Sequence, residues 1–203
     1  YQTNSRLPYH TDASDVVSLL CLQTAKTGGL SSIISSGALF NQIRESRPDL
    51  LNVLMEPFYR DRRGEIPAGK NPWYVIPVFN IHEGKLLTSY VRSTVMKAQR
   101  FPEAPRLTEA QIEAMDFVDE MTQDPTLHLR MAFNPGDIQF VNNYTVLHGR
   151  TAFTDGAASD RKRHLVRLWL NFFTPRPASA YIRDQYKGIE KQLSRDHDGQ
   201  GAG

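Results

Sequence analysis

LPYHTDASDVVSLLCLQ, residues 7–23, decides how this chain reads. Its second half, Val16 to Gln23, is a short and mostly apolar run rich in β-formers, as expected of a buried strand. Ahead of it stands His10-Thr11-Asp12. On extended backbone alternate side chains share a face, so His10 and Asp12 can reach one point while Thr11 turns away. Working outward, Thr27-Gly28-Gly29 breaks the strand and Ser31 to Ser35 reads as the returning one. From Ser36 the period changes: Ala38, Leu39, Ile43, Leu50, Leu51 and Leu54 suit two short helices split at Pro48.

Further along, Phe58 to Arg60 and Trp73 to Ile81 are strand-like, and Pro77 gives the second an edge position or a bulge. Lys85 to Val91 is expected to pair with it across Glu83-Gly84. Thr108, with Gln111 three residues on, is a helix start, and Ile112, Met115, Val118 and Met121 continue at helical spacing. Strands then return at Leu127 to Phe133, Ile138 to Val141, Val146 to Leu147 and Val166 to Phe173, with a tight turn at Asn134-Pro135-Gly136-Asp137. Many short strands with helices inserted among them, not alternating with them, predict a mainly β fold, a double-stranded β-helix of the jelly-roll, cupin-like kind. Residues 1–175 would form that core, and 176–203 a C-terminal helix (Tyr181 to Leu193) and a polar, disordered tail.

Bulk properties fit one soluble domain: 203 residues, 40% apolar and 23% charged, are enough for a single buried core. A net charge of +2 is too small to argue for nucleic acid as a partner, and no apolar run reaches bilayer-spanning length. The single cysteine, Cys21, rules out an internal disulfide and suits a cytoplasmic home. The opening, Tyr1-Gln2-Thr3-Asn4-Ser5, reads as a chain that begins inside something larger. Oligomeric state is left open, a homodimer included.

Downstream, Asn142 to Arg150 (NNYTVLHGR) brings a second histidine, His148, and Arg163 and Arg167 follow on one predicted strand. Two imidazoles and one carboxylate, with open coordination positions, form a facial triad suited to iron(II). The same ligand types admit tetrahedral zinc. His82, His128, His164 and His197 lack partners at suitable spacing and read as surface or packing residues. On a strand, residues 163, 165 and 167 share one face and Val166, Leu168 and Leu170 the other. Two guanidinium groups aimed into a jelly-roll interior are costly unless an anion meets them, and the planar fork of arginine matches a carboxylate. A hydroxyl from Ser32 or Ser31 would assist.

Taken in order, Leu7-Pro8-Tyr9-His10-Thr11-Asp12, Gly28-Gly29 with Ser32 and Ser35-Ser36-Gly37, Phe133 to Asp137, Asn142 to Phe153 and Arg163-x-x-x-Arg167 resemble the taurine dioxygenase-like family of iron(II)- and 2-oxoglutarate-dependent oxygenases. The resemblance implies His10, Asp12 and His148 as iron ligands, Arg163 on the distal carboxylate of 2-oxoglutarate, and Ser32 in the place of the family's threonine. One extra residue between Gly29 and Gly37 leaves Ser31 and Ser32 both open for that role. Arg167 falls where some relatives hold a substrate anion. Members of that family carry a substantial segment ahead of the H-x-D strand, which is absent here.

The activity so implied is oxidation, by default hydroxylation, of an unactivated C–H bond with O2 as oxidant and release of succinate and CO2. Asp12 argues against halogenation, which needs its ligand position vacant; desaturation and ring formation use the same ligands. The substrate is expected to be a small anionic molecule, with Arg167, Asn143, Tyr144, Arg92 and Asp15 as candidate contacts. The alternatives are a non-catalytic jelly-roll module that holds a metal or anion, and a zinc hydrolase on the same scaffold.

Overall fold

In the computed structural model, which describes residues 3–156, 162–172 and 179–182, the strand carrying His10 lies against the strand carrying His148. Four strands make the first sheet: β1 (Leu7–His10), β4 (Ser31–Ser35), β9 (His128–Met131) and β11 (Val146–Arg150), in the order β1-β11-β4-β9. Three make the second: β2 (Val16–Gln23), β10 (Ile138–Asn142) and β13 (His164–Leu170), in the order β10-β2-β13. All of these pairings are antiparallel. Short strands β3 (Thr27–Gly28) and β12 (Phe153–Thr154) pair at one end. The predicted jelly-roll architecture is the one found.

Helices α1 (Ser36–Ser46) and α2 (Pro48–Leu54) break at Pro48, as the sequence predicts, and α4 (Glu109–Met121) starts on a reciprocal capping box between Thr108 and Gln111. Between them lie the hairpin of β5 (Phe58–Asp61) with β6 (Trp73–Ile76) and the hairpin of β7 (Phe79–His82) with β8 (Lys85–Thr88). Glu83 and Gly84 both take positive φ, at 49° and 69°, which closes the second hairpin as a two-residue turn.

Three expectations need correction. Ser31 to Ser35 does not return beside Val16 to Gln23; β4 crosses to the other sheet, and Gly28 and Gly29 at positive φ carry the chain over. Trp73 to Ile81 is two strands, because Pro77 has no N–H to donate to a ladder. The run expected to stay extended to Val91 ends at Thr88, and a helix not anticipated from the sequence, α3 (Arg92–Ala98), follows. The C-terminal helix and tail lie outside the described residues beyond 182.

Register places the core. On β11, Leu147 faces Ile34 of β4, and His148 faces Ile33. Leu147, Ile34 and Tyr9 project outward and pack under Leu39, Ile43, Leu54, Met115 and Val118 of the helices, all buried. The larger apolar cluster therefore sits outside the first sheet. Residues facing the other way, toward the second sheet, include His10, His148 and Ser31, which share the space between the sheets with the buried Val17 and Val141 of the second sheet.

Candidate functional site

Strand pairing sets His10 opposite His148, with ring centroids 4.3 Å apart. Asp12 follows just past the end of β1, and its two oxygens divide between the imidazoles. Oδ1 is 3.7 Å from His10 Nε2, and Oδ2 is 3.6 Å from His148 Nε2. Those gaps are too long for hydrogen bonds, yet shorter than the ~4.4 Å between ligands on opposite sides of one ion held at ~2.2 Å. The three residues offer ligand atoms all within 4.8 Å of one another, the one group of this kind among the described residues. Two nitrogens and a carboxylate oxygen, without thiolate, fit iron(II), and the structure brings together the triad the sequence predicts.

The surroundings prepare these ligands. His10 Nδ1 donates to the Pro8 carbonyl at 2.9 Å, which leaves the Nε2 lone pair free toward Asp12. Burial, helped by His148 and Arg167, pushes the His10 pKa down to about 4 against the pull of Asp12, so the ring is neutral at pH 7. Burial opposes ionisation of Asp12, but His148, His10 and Arg167 together hold its carboxyl below the usual range. Trp169 donates its indole N–H to Asp12 Oδ2 at 3.0 Å, and Asn143 Oδ1 accepts the Asp12 backbone N–H, also at 3.0 Å. Trp169 was not singled out by sequence. The signal was present, since Trp169 lies two residues beyond Arg167 on one face of β13.

Arg163 lies at the foot of β13 against Gly29. A Cβ on Gly29 would stand 3.0 Å from Arg163 Nε, so only glycine leaves the guanidinium its place. Arg150 and Arg163 flank the Phe153 ring, at 4.5 and 5.4 Å from its centroid. Burial, and then Arg150, lower the pKa of Arg163. Both are half-buried, and Arg150 Nη2 donates to the carbonyls of Thr3 and Ser5. Ser31 shares the inward face with His148, and its hydroxyl donates to Gln139 of the opposite sheet at 2.9 Å. Ser32 projects to the other face and is bonded to Tyr9, which removes the geometric support for Ser32 as the co-substrate hydroxyl. A one-residue difference in register thus puts the two hydroxyls on opposite faces of the sheet.

A cleft of about 970 Å³ opens beside His10 and Asp12. Of the predicted substrate contacts, Arg92 lines it, but its guanidinium is bound to Asp116 and Asp119 at 2.5 and 2.8 Å. Arg167 Nη1 is 3.7 Å from Asp12 Oδ2, beside the metal ligands. Asp15, Asn143 and Tyr144 point elsewhere. Tyr144 donates to Asp15, Asp15 accepts the Phe172 N–H, and Asn143 ties Asp12 to Ser14, so all three brace the loop that carries Asp12.

Comparison with known proteins gives a consistent picture. The sequence model of the family described as taurine catabolism dioxygenase TauD, TfdA family matches residues 1–169. FR-33289 synthase of Streptomyces rubellomurinus is 35% identical over 173 residues, 84% of this chain and 51% of that protein. A taurine hydroxylase-like protein of Stachybotrys chartarum is 35% identical over 167 residues, 81% of this chain and 42% of that protein. The chain thus spans about half the length of these relatives or less. Among solved structures, an asparagine oxygenase in complex with Fe(II), (2S,3S)-3-hydroxyasparagine and succinate superposes with a TM-score of 0.63 at 19% identity, over 83% of this chain and 50% of that one, a likeness of fold.

Proposed function

This chain belongs to the TauD, TfdA family of taurine catabolism dioxygenases, and from that premise we propose that it carries the active site of an iron(II)- and 2-oxoglutarate-dependent dioxygenase that hydroxylates a C–H bond of a small anionic molecule. The convergence of His10, Asp12 and His148 carries the reading. With iron and 2-oxoglutarate bound, the site would couple oxidative decarboxylation of the co-substrate to succinate and CO2 with oxidation of the substrate by O2. The remaining work falls to the chain's own side chains.

His10 and His148 would bind through Nε2, each in the orientation its strand imposes, and Asp12 would supply the anionic ligand. Trp169 and Asn143 keep the Asp12 carboxylate and backbone from turning away. Arg163, with Arg150 behind it and Ser31 as hydroxyl donor, would anchor the far carboxylate of 2-oxoglutarate. The cleft beside Asp12 would receive the prime substrate and exclude bulk water from the reacting carbon. Arg167 sits where it can meet a substrate anion or lend charge to Asp12. The asparagine oxygenase of similar fold is described with a hydroxylated amino acid, which supports a substrate of that size. A single, buried cysteine supports a cytoplasmic setting, while no helix of the described residues is long and apolar enough to cross a membrane.

Anaerobic addition of iron(II) and 2-oxoglutarate tests the proposal. A visible charge-transfer band is expected, absent in His10→Ala and weakened in Arg163→Ala. Tight zinc binding with no 2-oxoglutarate response would refute it in favour of a hydrolytic or binding role.

A further inference from the structure

The cleft has two walls. One is the metal side, Leu7 to Ala13 with Trp169; the other is the segment from Asp61 to Ala68 together with the start of α3. Most charges on the second wall are engaged. Arg92 is held by Asp116 and Asp119, Asp61 is paired with Arg100 at 3.1 Å, and Arg62 Nε donates to the carbonyls of Asn71 and Trp73. Glu65, on the same segment, is exposed.

Arg63 differs from all of these. Its φ is 55°, and with Gly64 at 89° it forms the centre of a tight turn closed by the Glu65 N–H on the Arg62 carbonyl at 3.1 Å. Asp61, almost fully buried and itself fixed by Arg100, adds a further tie, its Oδ1 accepting the Arg63 backbone N–H at 2.7 Å. The consequence is directional: the Arg63 side chain reaches from the segment to α3, where Nη2 donates to Ser93 Oγ at 3.1 Å. Both residues line the cleft, and among the described residues the Arg63 guanidinium pairs with no carboxylate. A turn tied down by Asp61 sets an exposed guanidinium and a hydroxyl at the edge of a substrate-sized cavity, where they can meet an acceptor with several oxygens.

Resting on the oxygenase reading of the site, we infer that Arg63 and Ser93 bind an oxyanionic group of the prime substrate, a carboxylate or a phosphate-type group, on the wall opposite the metal ligands. The guanidinium supplies two parallel N–H donors and the hydroxyl a third, while the other end of the molecule lies at His10 and Asp12. Arg167 is distinct, since its charge already lies beside the Asp12 carboxylate.

Calorimetric titration of the whole chain with inorganic phosphate and, separately, with acetate tests this at low ionic strength. At least one anion should bind, with affinity reduced about tenfold or more in Arg63→Ala, less in Ser93→Ala, and partly kept in Arg63→Lys. Binding should persist in Arg163→Ala and in His10→Ala, which separates this site from the co-substrate and metal positions. The phosphate and acetate arms decide which head group is preferred. Equal binding in Arg63→Ala, or no binding of either anion by the unaltered chain, would overturn the inference. Arg63-dependent binding in a protein that shows no iron and 2-oxoglutarate band would instead sink the oxygenase reading and leave the anion site standing.

Discussion

Asn143→Ala should weaken the metal centre without touching any ligand. Asn143 is 1% exposed, and its side chain makes three hydrogen bonds to one loop: Oδ1 accepts the Asp12 N–H at 3.0 Å, and Nδ2 donates to the Ser14 carbonyl and hydroxyl at 2.9 and 3.1 Å. Its own backbone N–H, bound to the Asp15 carbonyl, survives the change. Each lost side-chain bond is worth about 1 kcal/mol net, so roughly 3 kcal/mol should disappear. In a domain of this size that lowers Tm by about 6–12 °C. Freed from Asn143, the Asp12 backbone can turn, and metal affinity should fall by about 10–100-fold, the range seen when outer partners of ligands are removed. Thermal melts and iron(II) or zinc titrations measure the two effects separately. Asn143→Asp keeps the acceptor for Asp12 and loses the amide donors, so it should retain more metal affinity than stability. A variant with the expected drop in Tm and unchanged metal affinity would refute the coupling of this loop to the site.

Three further outcomes follow from the same geometry. Gly28→Ala should misfold or lose well over the ~1–3 kcal/mol of backbone strain, because its Cβ would meet the Ala152 carbonyl oxygen at 2.2 Å; the yield of folded protein and Tm report this. Gly29→Ala meets the flexible Arg163 side chain at 3.0 Å and carries the strain of a φ of 71°, so it should cost about 1–3 kcal/mol of stability and weaken 2-oxoglutarate binding about tenfold, read from Tm and the charge-transfer titration. Trp169→Phe removes the indole donor to Asp12 and should lower metal affinity about tenfold with the fold retained by near-UV circular dichroism, whereas unchanged affinity would deny Trp169 a role.

The sequence was informative wherever one local rule decided the matter. Period-two alternation put His10 and Asp12 on one side, Pro48 divided two helices, and Thr108 with Gln111 marked the start of α4. It was silent wherever a distant partner decided. Nothing near Ser31 and Ser32 says which faces inward; that comes from the pairing of Ile33 with His148 on a strand far along the chain. Arg92 read as a candidate substrate contact, but α4 brings Asp116 and Asp119 beside it. Asn143 and Tyr144 sit near His148 in sequence, yet their side chains turn to Ser14 and Asp15. The helix α3 was hidden because Arg92 to Ala98 opens with no side-chain cap and spans only seven residues.

Strand β11 explains how a site made of distant segments keeps its geometry. It pairs on one side with β1 and on the other with β4, so a slip of one residue would break both ladders. Such a slip would also exchange faces, sending His148 into the apolar layer under the helices and Leu147 into its place among the metal ligands. Leu147 is wholly buried, and burying a leucine is worth about 1.5–3 kcal/mol, which opposes that exchange at every moment the protein is folded. The larger apolar cluster thus lies on the far side of the sheet from the metal ligands, and it fixes them through the alternation of a single strand. The polar ligands can then share the interior between the sheets with Val17 and Val141, because the larger apolar cluster that orients their strand is built on its other face.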